Sequence, residues 1–402
     1  MQARILLALA EDAMLKRVAP PQRRCETLCH RIEQLGPAAI KLGQLMATTP
    51  GLIADPALQA QLSSRLHDRV RPRPISELLT PPQLAELVML KGIDAEPLGS
   101  ASIAQVHKAH MLGASAAPAA LKVVRPNAAR SIRSSFGALE GTLRFVQRWL
   151  PSASDAGAMH HTKLLLRDAC AMLEAEVDMA AEFDNMQLCY ELAAATSSPV
   201  AVPRPLGHCL GGRALVMEYI DAKPLATAQL GLDAGQRRRL AQDIAAWWLE
   251  GIVRHRVVHG DPHVGNWGMA SDTGQLVLFD YGNIVQLSPA ELQGLLRLVE
   301  ALAGIVTRVP IGQAYLKRRA EQLGPECGVH ILDWATFEAD VSSIVRYLTA
   351  PGIVKLDNDG LKARRKVAAR LSGPALRLVR SLLLVDGVCR GLDPQFAWGK
   401  AF

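Results

Sequence analysis

The sequence predicts an α+β protein in which an N-terminal helical extension precedes two lobes. Apolar residues recur at helical spacing through residues 1–70 and again from Ser288 onward. Between them, from Pro97, short strand-like runs alternate with loops rich in Gly and Pro. A chain of 402 residues is long enough to bury a large core in more than one lobe. The predicted boundaries are 1–75 for the extension, 76–221 for a small mixed lobe and 222–402 for a mostly helical lobe.

The composition is that of a globular protein. Hydrophobic residues make up 49% of the chain and charged residues 21%, which excludes a disordered chain. The net charge of +7 is compatible with an anionic partner such as a nucleotide, a membrane surface or a nucleic acid, but on charge alone a generally basic, solvated surface is the favoured interpretation. We expect no nucleic-acid partner.

The seven cysteines indicate reduced thiols in the cytoplasm, because the sequence has no Cys-x-x-Cys pair and no secretory signal. Five residues of the extension follow the spacing of an apolar helix face: Cys25, Leu28, Cys29, Ile32 and Leu35. A metal site formed by the two cysteines and His30 is the alternative. The helix face is favoured, because the ligand pattern is weak.

No stretch approaches the ~20 apolar residues that span a bilayer. The most apolar run near the end, "LRLVRSLLLVDGV", is interrupted by Arg377, Arg380 and Asp386. We therefore expect a cytoplasmic protein that is at most peripheral to the inner membrane. Basic and apolar residues near the N-terminus could provide such a contact, but core packing is the favoured interpretation.

The small lobe is predicted element by element. Thr80 and Pro81 have the residue types of an N-cap and a first helical position, so "TPPQLAELVML" is predicted to be a helix. "PLGSASIAQVHKAHM" and "PAALKVVRP" then predict a β-hairpin. A long helix is predicted over 163–195, and "RALVMEYI" is predicted to be a strand. The larger lobe begins with the helix "RRRLAQDIAAWWLEGIVRHR".

Two loops carry the strongest chemical signal. "VVHGDPHVGNWGM" contains Asp261 and, five positions later, Asn266, and the run "QLVLFDYGN" ends its apolar strand at Asp280. Mg²⁺ prefers hard oxygen ligands and fills its shell with phosphates and water. An Asp-x-x-x-x-Asn loop followed by a strand-end Asp is typical of phosphoryl transfer from a magnesium nucleotide. The alternative is two unrelated polar turns.

Lys122 lies in the apolar strand "AALKVV", where its ammonium requires a partner such as phosphate or a carboxylate. The alternative is a solvated edge position. On the predicted long helix, Glu174, Asp178 and Glu182 form an i, i+4, i+8 stripe that indicates nearby cations, unless it is a solvated face. Glu176 flanks this stripe.

The loop "PLGSASIAQVH" stands where a glycine-rich loop covers phosphates in protein kinases. It retains only Gly99, followed by Ser100, Ala101 and Ser102. Because Cβ atoms restrict positive φ, this loop is expected to be stiffer and to contact phosphates differently. Ordinary protein-kinase activity is therefore not expected.

Taken together, these segments resemble the UbiB/AarF-type atypical kinases, over residues 35–394. The resembling motifs are "LGPAAIKLGQ", "GSASIAQVH", "AALKVVRP", "EVDMAAEFDN", "HGDPHVGN", "DYGN" and "LDPQF". The resemblance implies a two-lobed, protein-kinase-like fold that uses ATP and Mg²⁺. It implies ATP hydrolysis, or phosphorylation of a small or lipidic acceptor, in quinone or lipid biosynthesis. Quinone or lipid intermediates and biosynthetic enzymes are the implied partners.

The resemblance also implies residue roles. Lys122 would contact the α and β phosphates and pair with Glu182, Asn266 and Asp280 would hold Mg²⁺, and Asp261 would stand at the base position. Lys41 and Gln44 would come from the extension and meet Glu176 and Asp178. The nucleotide-binding set is completed by Gly99, Ser100, Ala101, Ser102 and Glu218.

This sequence departs from the family pattern in three places. Ala47, Thr49 and Gly51 stand where the family often has Ser, Arg and Asp, and Gly99 replaces an Ala. The chain also ends at Phe402 without the membrane-spanning helices of many bacterial members. The first departure concerns contacts made by that helix, the second could relax the stiffness of the loop, and the third argues against firm membrane anchoring.

Two other functions stay open. "HGDPHVGN" also resembles the loop of aminoglycoside and choline phosphotransferases, which lack the Lys-x-Gly-Gln helix, and stimulation of turnover by small alcohols would favour that group. The second is a nucleotide-gated, non-catalytic scaffold for a biosynthetic complex. Retention of biological function after Asp280→Asn, despite loss of hydrolysis, would favour the scaffold.

Overall fold

The computed structural model describes residues 21–35, 39–40, 43, 71–113, 117–149, 166–167, 170–306, 313–349, 369–371 and 373–400. These residues form two compact units. The first takes in the described residues up to Gln187 together with Arg204–Tyr219, and the second takes in Leu188–Pro203 and the described residues from Ile220 onward. The predicted three-part division stays a prediction.

The helices are numbered along the chain. They are α1 Pro21–Leu35, α2 Ile75–Leu78, α3 Pro81–Ala85, α4 Ala128–Trp149, α5 Met179–Thr196, α6 Leu225–Ala228, α7 Ala234–Glu250, α8 Pro289–Val306, α9 Gln313–Leu323, α10 Trp334–Thr349 and α11 Gly373–Leu392. Short 3₁₀ turns lie at Gln229–Gly231, Val264–Asn266, Pro325–Cys327 and Trp398–Lys400, and a π-helical turn lies at Gly251–His255.

The strands are numbered in the same way. They are β1 Leu90–Ser100, β2 Ala104–Met111, β3 Pro118–Val124, β4 Val200–Ala201, β5 Pro205–Cys209, β6 Ala214–Glu218, β7 Ala222–Pro224, β8 Val257–His259, β9 Trp267–Ala270, β10 Leu276–Leu278, β11 Ile284–Gln286, β12 Val329–Ile331 and β13 Ala369–Leu371.

The first unit is built on an antiparallel sheet in the order β1-β2-β3-β6-β5. The central strand β3 is apolar on both sides of Lys122, and Leu121 and Val123 are fully buried. Lys122 pairs in register with Val106 on one side and Leu215 on the other. This register fixes the position of the lysine backbone in the middle of the sheet.

The second unit combines small sheets with helices. Strands β4, β10, β9 and β7 form one sheet in that order, and β8 pairs with β11 in a separate ribbon. Helix α7 begins at the N-cap Asp233, whose carboxylate accepts a hydrogen bond from the backbone N–H of Gln236 at 2.8 Å. Helix α11 packs against α7 and also contacts β8. These contacts place α11 beside the loop that follows β8.

Several predicted elements are confirmed in place. Thr80 and Gln83 form the capping box of α3, with Pro81 at its first position. In α1, Cys25 and Cys29 are buried with their sulfurs 3.8 Å apart, whereas His30 is exposed. The helix-face interpretation of this segment is therefore confirmed. Within the residues that the structure describes, no helix is long and apolar enough to cross a membrane.

Three predicted helical segments were wrong in part. Helix α3 ends at Ala85, and Leu90, predicted to be helical, begins β1 because it pairs with Met111. The predicted long helix breaks at residues 176–178, where a new helix begins after a capping aspartate. In the region predicted to be helical throughout, β12 and β13 pair as a small antiparallel ribbon.

Candidate functional site

Lys122 forms a buried ion pair in the first unit. Its Nζ lies 2.7 Å from Oε1 and 2.8 Å from Oε2 of Glu182, in the first turns of α5. The side chain of Glu182 has no exposed area and that of Lys122 is 12% exposed. Removing two charges from water is costly, so both side chains need the partner they find here. The bidentate contact gives the lysine a fixed direction in the core.

The loop between β1 and β2 is tied down by a buried arginine that the sequence did not single out. Nε of Arg125 donates to the carbonyl oxygen of Ala101 at 2.8 Å, and Nη2 donates to Oγ of Ser100 at 2.7 Å. The backbone N–H of Ala101 donates to the carbonyl of Ala104 at 2.9 Å. Ser102 is buried. The loop is thus held through its backbone and a hydroxyl, and its expected contact with phosphates stays a prediction.

Gln105 extends this network. Its Nε2 donates to the carbonyl of Arg73 at 2.8 Å and to Nε2 of His107 at 2.8 Å, and its Oε1 accepts from the Arg73 backbone N–H at 3.0 Å. Nδ1 of His107 donates to the carbonyl of Asp94 at 2.9 Å. Gln105 and His107 are fully buried. Their bonds join β2 to the segment before α2.

In the second unit, β8 leads into the loop that carries Asp261. The backbone N–H of Asp261 donates to Nδ1 of His259 at 3.2 Å, and Nε2 of His259 donates to the carbonyl of Asp280 at 2.6 Å. Burial lowers the pKa of the His259 imidazole below its usual range, which keeps the ring neutral. A neutral ring can accept at one nitrogen and donate at the other. His259 thereby links the Asp261 loop to Asp280.

Asn266 and Asp280 lie at the ends of adjacent strands. Leu278 pairs with Trp267, and the next backbone bond joins the N–H of Phe279 to the carbonyl of Asn266 at 2.8 Å. Nδ2 of Asn266 donates to the carbonyl of Asp261 at 3.0 Å. The register therefore brings an amide and a carboxylate, from the two strands of one hairpin, to one edge of the sheet.

Asp280 has a left-handed backbone with φ of 67°. Only glycine adopts such values freely, and asparagine and aspartate tolerate them better than other residues. Its Oδ1 accepts from the backbone N–H of Gly282 at 3.2 Å. The next residue, Tyr281, is fully buried and donates to the carbonyl of Leu278 at 3.0 Å. The chain therefore turns at Asp280, the predicted metal ligand, shortly after β10 ends.

The predicted acidic stripe does not form one face of one helix, which corrects that expectation. Glu174 lies 3.5 Å from Nε of Arg133, and both side chains are largely exposed. Oδ1 of Asp178 accepts from the backbone N–H groups of Ala180 and Ala181, both at 3.1 Å. Such a bond satisfies donors that a helix N-terminus leaves open, so an aspartate here favours a break in the helix.

The other predicted binding residues divide into two groups. Glu176 lies in the turn before Asp178, and Oε2 of the exposed Glu218 accepts from the backbone N–H of Arg204 at 3.1 Å. Their predicted contacts with a nucleotide stay predictions. Lys41 and Gln44 lie outside the described residues.

Substitution of Asp178 tests whether its carboxylate caps α5 or binds the nucleotide. Asp178→Asn is expected to leave the free energy of unfolding nearly unchanged, because asparagine caps helices as well as aspartate does, whereas Asp178→Ala is expected to cost about 1 kcal/mol. Urea unfolding measures these changes in the free energy of unfolding, provided that its dependence on urea concentration, m, is the same for all variants. Equal stability of the alanine variant would contradict the cap. Weaker nucleotide binding by the equally stable asparagine variant would instead assign the carboxylate to the nucleotide.

The loop of Asp261 has further partners that sequence reasoning missed. Nη2 of Arg380 lies 2.9 Å from Oδ1 of Asp261, and both side chains are buried. Oγ of Ser381 donates to the carbonyl of His259 at 2.6 Å. In the sequence, Arg380 stands out only as a charge that interrupts an apolar run. No spacing rule connects a helix near the C-terminus with a loop 119 positions earlier.

Two curated relatives resemble the chain over most of its length. The protein "Activity of BC1 complex kinase 8, chloroplastic" of Arabidopsis thaliana is 26% identical over 92% of this chain and 52% of its own length. A "Probable protein kinase UbiB" of Xanthomonas euvesicatoria is 26% identical over 94% of this chain and 69% of its own length. The chain thus spans about half of the Arabidopsis relative.

The fold is also found in a solved structure. The Rv3197 protein of Mycobacterium tuberculosis, described in complex with erythromycin, superimposes with a TM-score of 0.58 at 19% identity, over 92% of this chain and 93% of that one. At this identity the likeness concerns the fold alone, and it agrees with the predicted α+β kinase-like class. The model of the ABC1 atypical kinase-like domain matches residues 82–305, more than half of the sequence, and the chain therefore belongs to the ABC1 atypical kinase-like family.

Proposed function

We propose that this protein binds Mg-ATP and transfers the terminal phosphoryl group to water or to a small or lipidic acceptor. One observation carries the proposal: the register of β9 and β10 brings Asn266 and Asp280 to the same sheet edge, beside the Asp261 loop. An amide oxygen and a carboxylate at one edge are the protein ligands that Mg²⁺ accepts alongside phosphates.

The donor set fits a magnesium ion. Because Nδ2 of Asn266 donates to the Asp261 carbonyl, its Oδ1 is the atom left to act as a ligand. Asp280 supplies the anionic ligand, and its half-buried position limits competition from water. When bound, Mg²⁺ would neutralise part of the charge on the phosphates.

The chain's own residues would supply the other functions. Lys122, directed by Glu182, would donate to phosphate oxygens, and the Gly99–Ser102 loop, held by Arg125, would lie against them. Asp261 would orient the attacking hydroxyl. The guanidinium of Arg380 beside this carboxylate stabilises its negative charge. Asp261 can orient the hydroxyl while it stays negatively charged, whereas removing a proton from the hydroxyl would neutralise the carboxylate.

The acceptor we propose is a quinone-pathway or lipid intermediate, presented by a membrane surface or a biosynthetic enzyme. The similarity to proteins named UbiB supports this class. The basic net charge of +7 supports a peripheral contact with an anionic surface. Lys41 and Gln44 stay proposed contacts of the nucleotide from the extension.

Phosphate release from γ-labelled ATP tests the proposal. The wild-type chain is expected to release phosphate with Mg²⁺ and not with EDTA, and lipid vesicles are expected to change that rate. Stimulation by small alcohols, with no response to vesicles, would favour a small-molecule phosphotransferase. Nucleotide binding without any release or transfer would overturn the catalytic proposal in favour of a scaffold.

A further inference from the structure

We infer that Arg380 and Ser381, neighbours on α11, are positioning residues that hold the Asp261 loop for phosphoryl transfer. This inference rests on the proposed function and extends it to a helix outside the matched domain, which ends at residue 305. The contact that motivates it is the buried ion pair between Arg380 and Asp261.

Arg380 contacts the loop at two consecutive residues. Its Nη2 donates to Oδ1 of Asp261 at 2.9 Å, and its Nη1 lies 3.5 Å from the carbonyl oxygen of Gly260. The side chains of Arg380 and Asp261 are 7% and 12% exposed. In such surroundings the planar guanidinium fixes the rotation of the carboxylate, because rotation would leave both charges without their short contact.

Ser381 holds the residue before the loop. Its Oγ donates to the carbonyl of His259 at 2.6 Å and accepts from Nε1 of Trp248 in α7 at 2.7 Å. Ser381 is fully buried and Trp248 nearly so. The hydroxyl therefore connects two helices with the end of β8.

His259 carries this restraint to Asp280. Its ring accepts from the backbone of Asp261 and donates to the backbone of Asp280. A single turn of α11 thus controls where the loop carboxylate and the backbone of the predicted metal ligand lie. Displacement of a reacting group by about 1 Å can reduce turnover about 100-fold, so loss of this turn should affect kcat more than binding.

The test compares Arg380→Gln, Arg380→Lys and Ser381→Ala with Arg377→Gln. Arg377 is a matched control, since it lies one turn earlier on α11 and is exposed. We expect Arg380→Gln to lower kcat about 100-fold with KM for ATP changed less than about twofold, and Arg380→Lys to recover about 10-fold of that loss. Ser381→Ala should lower kcat less than Arg380→Gln, and Arg377→Gln should match the wild type.

Amide hydrogen exchange provides a readout that needs no nucleotide. Peptides covering residues 257–266 are expected to exchange faster in Arg380→Gln than in the wild type and in Arg377→Gln, whereas peptides from α8 keep their rates. Unchanged exchange in this loop would overturn the inference, as would equal effects on kcat and KM or no rescue by lysine. A wild-type chain that does not turn ATP over would contradict the proposed function, and the exchange result would still decide whether α11 holds the loop. If Arg380→Gln does not fold, Arg380→Lys and Ser381→Ala decide by the same measurements.

Discussion

Replacing Asp280 with asparagine is expected to lower Mg²⁺-dependent nucleotide turnover by about 100- to 1000-fold, the range found when one group that stabilises transition-state charge is removed. The substitution removes the anionic ligand and keeps the shape of the side chain. Asparagine tolerates the left-handed backbone at this position, where φ is 67°. The fold should therefore persist, and phosphate release in a coupled assay measures the loss.

The matched control is Asp272→Asn. Asp272 lies in the turn between β9 and β10 and is exposed, so its substitution makes the same change of charge in the same hairpin. Its turnover should equal that of the wild type. Wild-type turnover by Asp280→Asn would remove Asp280 from the metal site. Alanine is a poorer choice here, because it would add backbone strain to the loss of the ligand.

Replacing Lys122 with methionine is expected to destabilise the protein by about 3–5 kcal/mol, the usual cost of breaking a buried ion pair by removing one partner. Glu182 would become a fully buried carboxyl group without its lysine. The double variant Lys122→Met with Glu182→Gln should recover most of this stability, because no buried charge then lacks its counterion. Urea unfolding measures both effects.

The double variant also separates stability from function. If Lys122 contacts phosphate, the restored protein should still bind ATP more weakly than the wild type. Lys91→Met is the control, since Lys91 is an exposed lysine of the same sheet and should be close to neutral. If Lys122→Met alone is as stable as Lys91→Met, the ion pair between Lys122 and Glu182 does not stabilise the protein as expected.

Local sequence patterns predicted the elements that hold the site. The helix start at Thr80 and Pro81, the hairpin of β2 and β3, and the strand that ends before Asp280 each depend on neighbouring residues, and the structure has all three. The pairing of Lys122 with Glu182 came from the family resemblance. Spacing along the chain alone could not have connected positions 60 residues apart.

The features that the sequence did not predict have a common physical cause. Asp178 fits a helix pattern by spacing, but its side chain competes for backbone N–H groups and so starts a new helix. Arg125, Gln105 and Arg380 are polar residues whose partners are distant in sequence and become close only when the sheet or α11 is packed. Periodicity describes which face of an element is apolar, and it does not identify the partner of a buried polar group.

The central claim is that Asn266 and Asp280 hold a divalent ion together with a nucleotide. Electron paramagnetic resonance with Mn²⁺ in place of Mg²⁺ tests it most directly, because the signal of the free aqueous ion falls when the ion is bound. We predict that the wild-type chain lowers this signal below that of the same Mn²⁺–ATP mixture without protein, and that Asp280→Asn removes this additional decrease. An equal additional decrease with both proteins, or none with the wild type, would contradict the account.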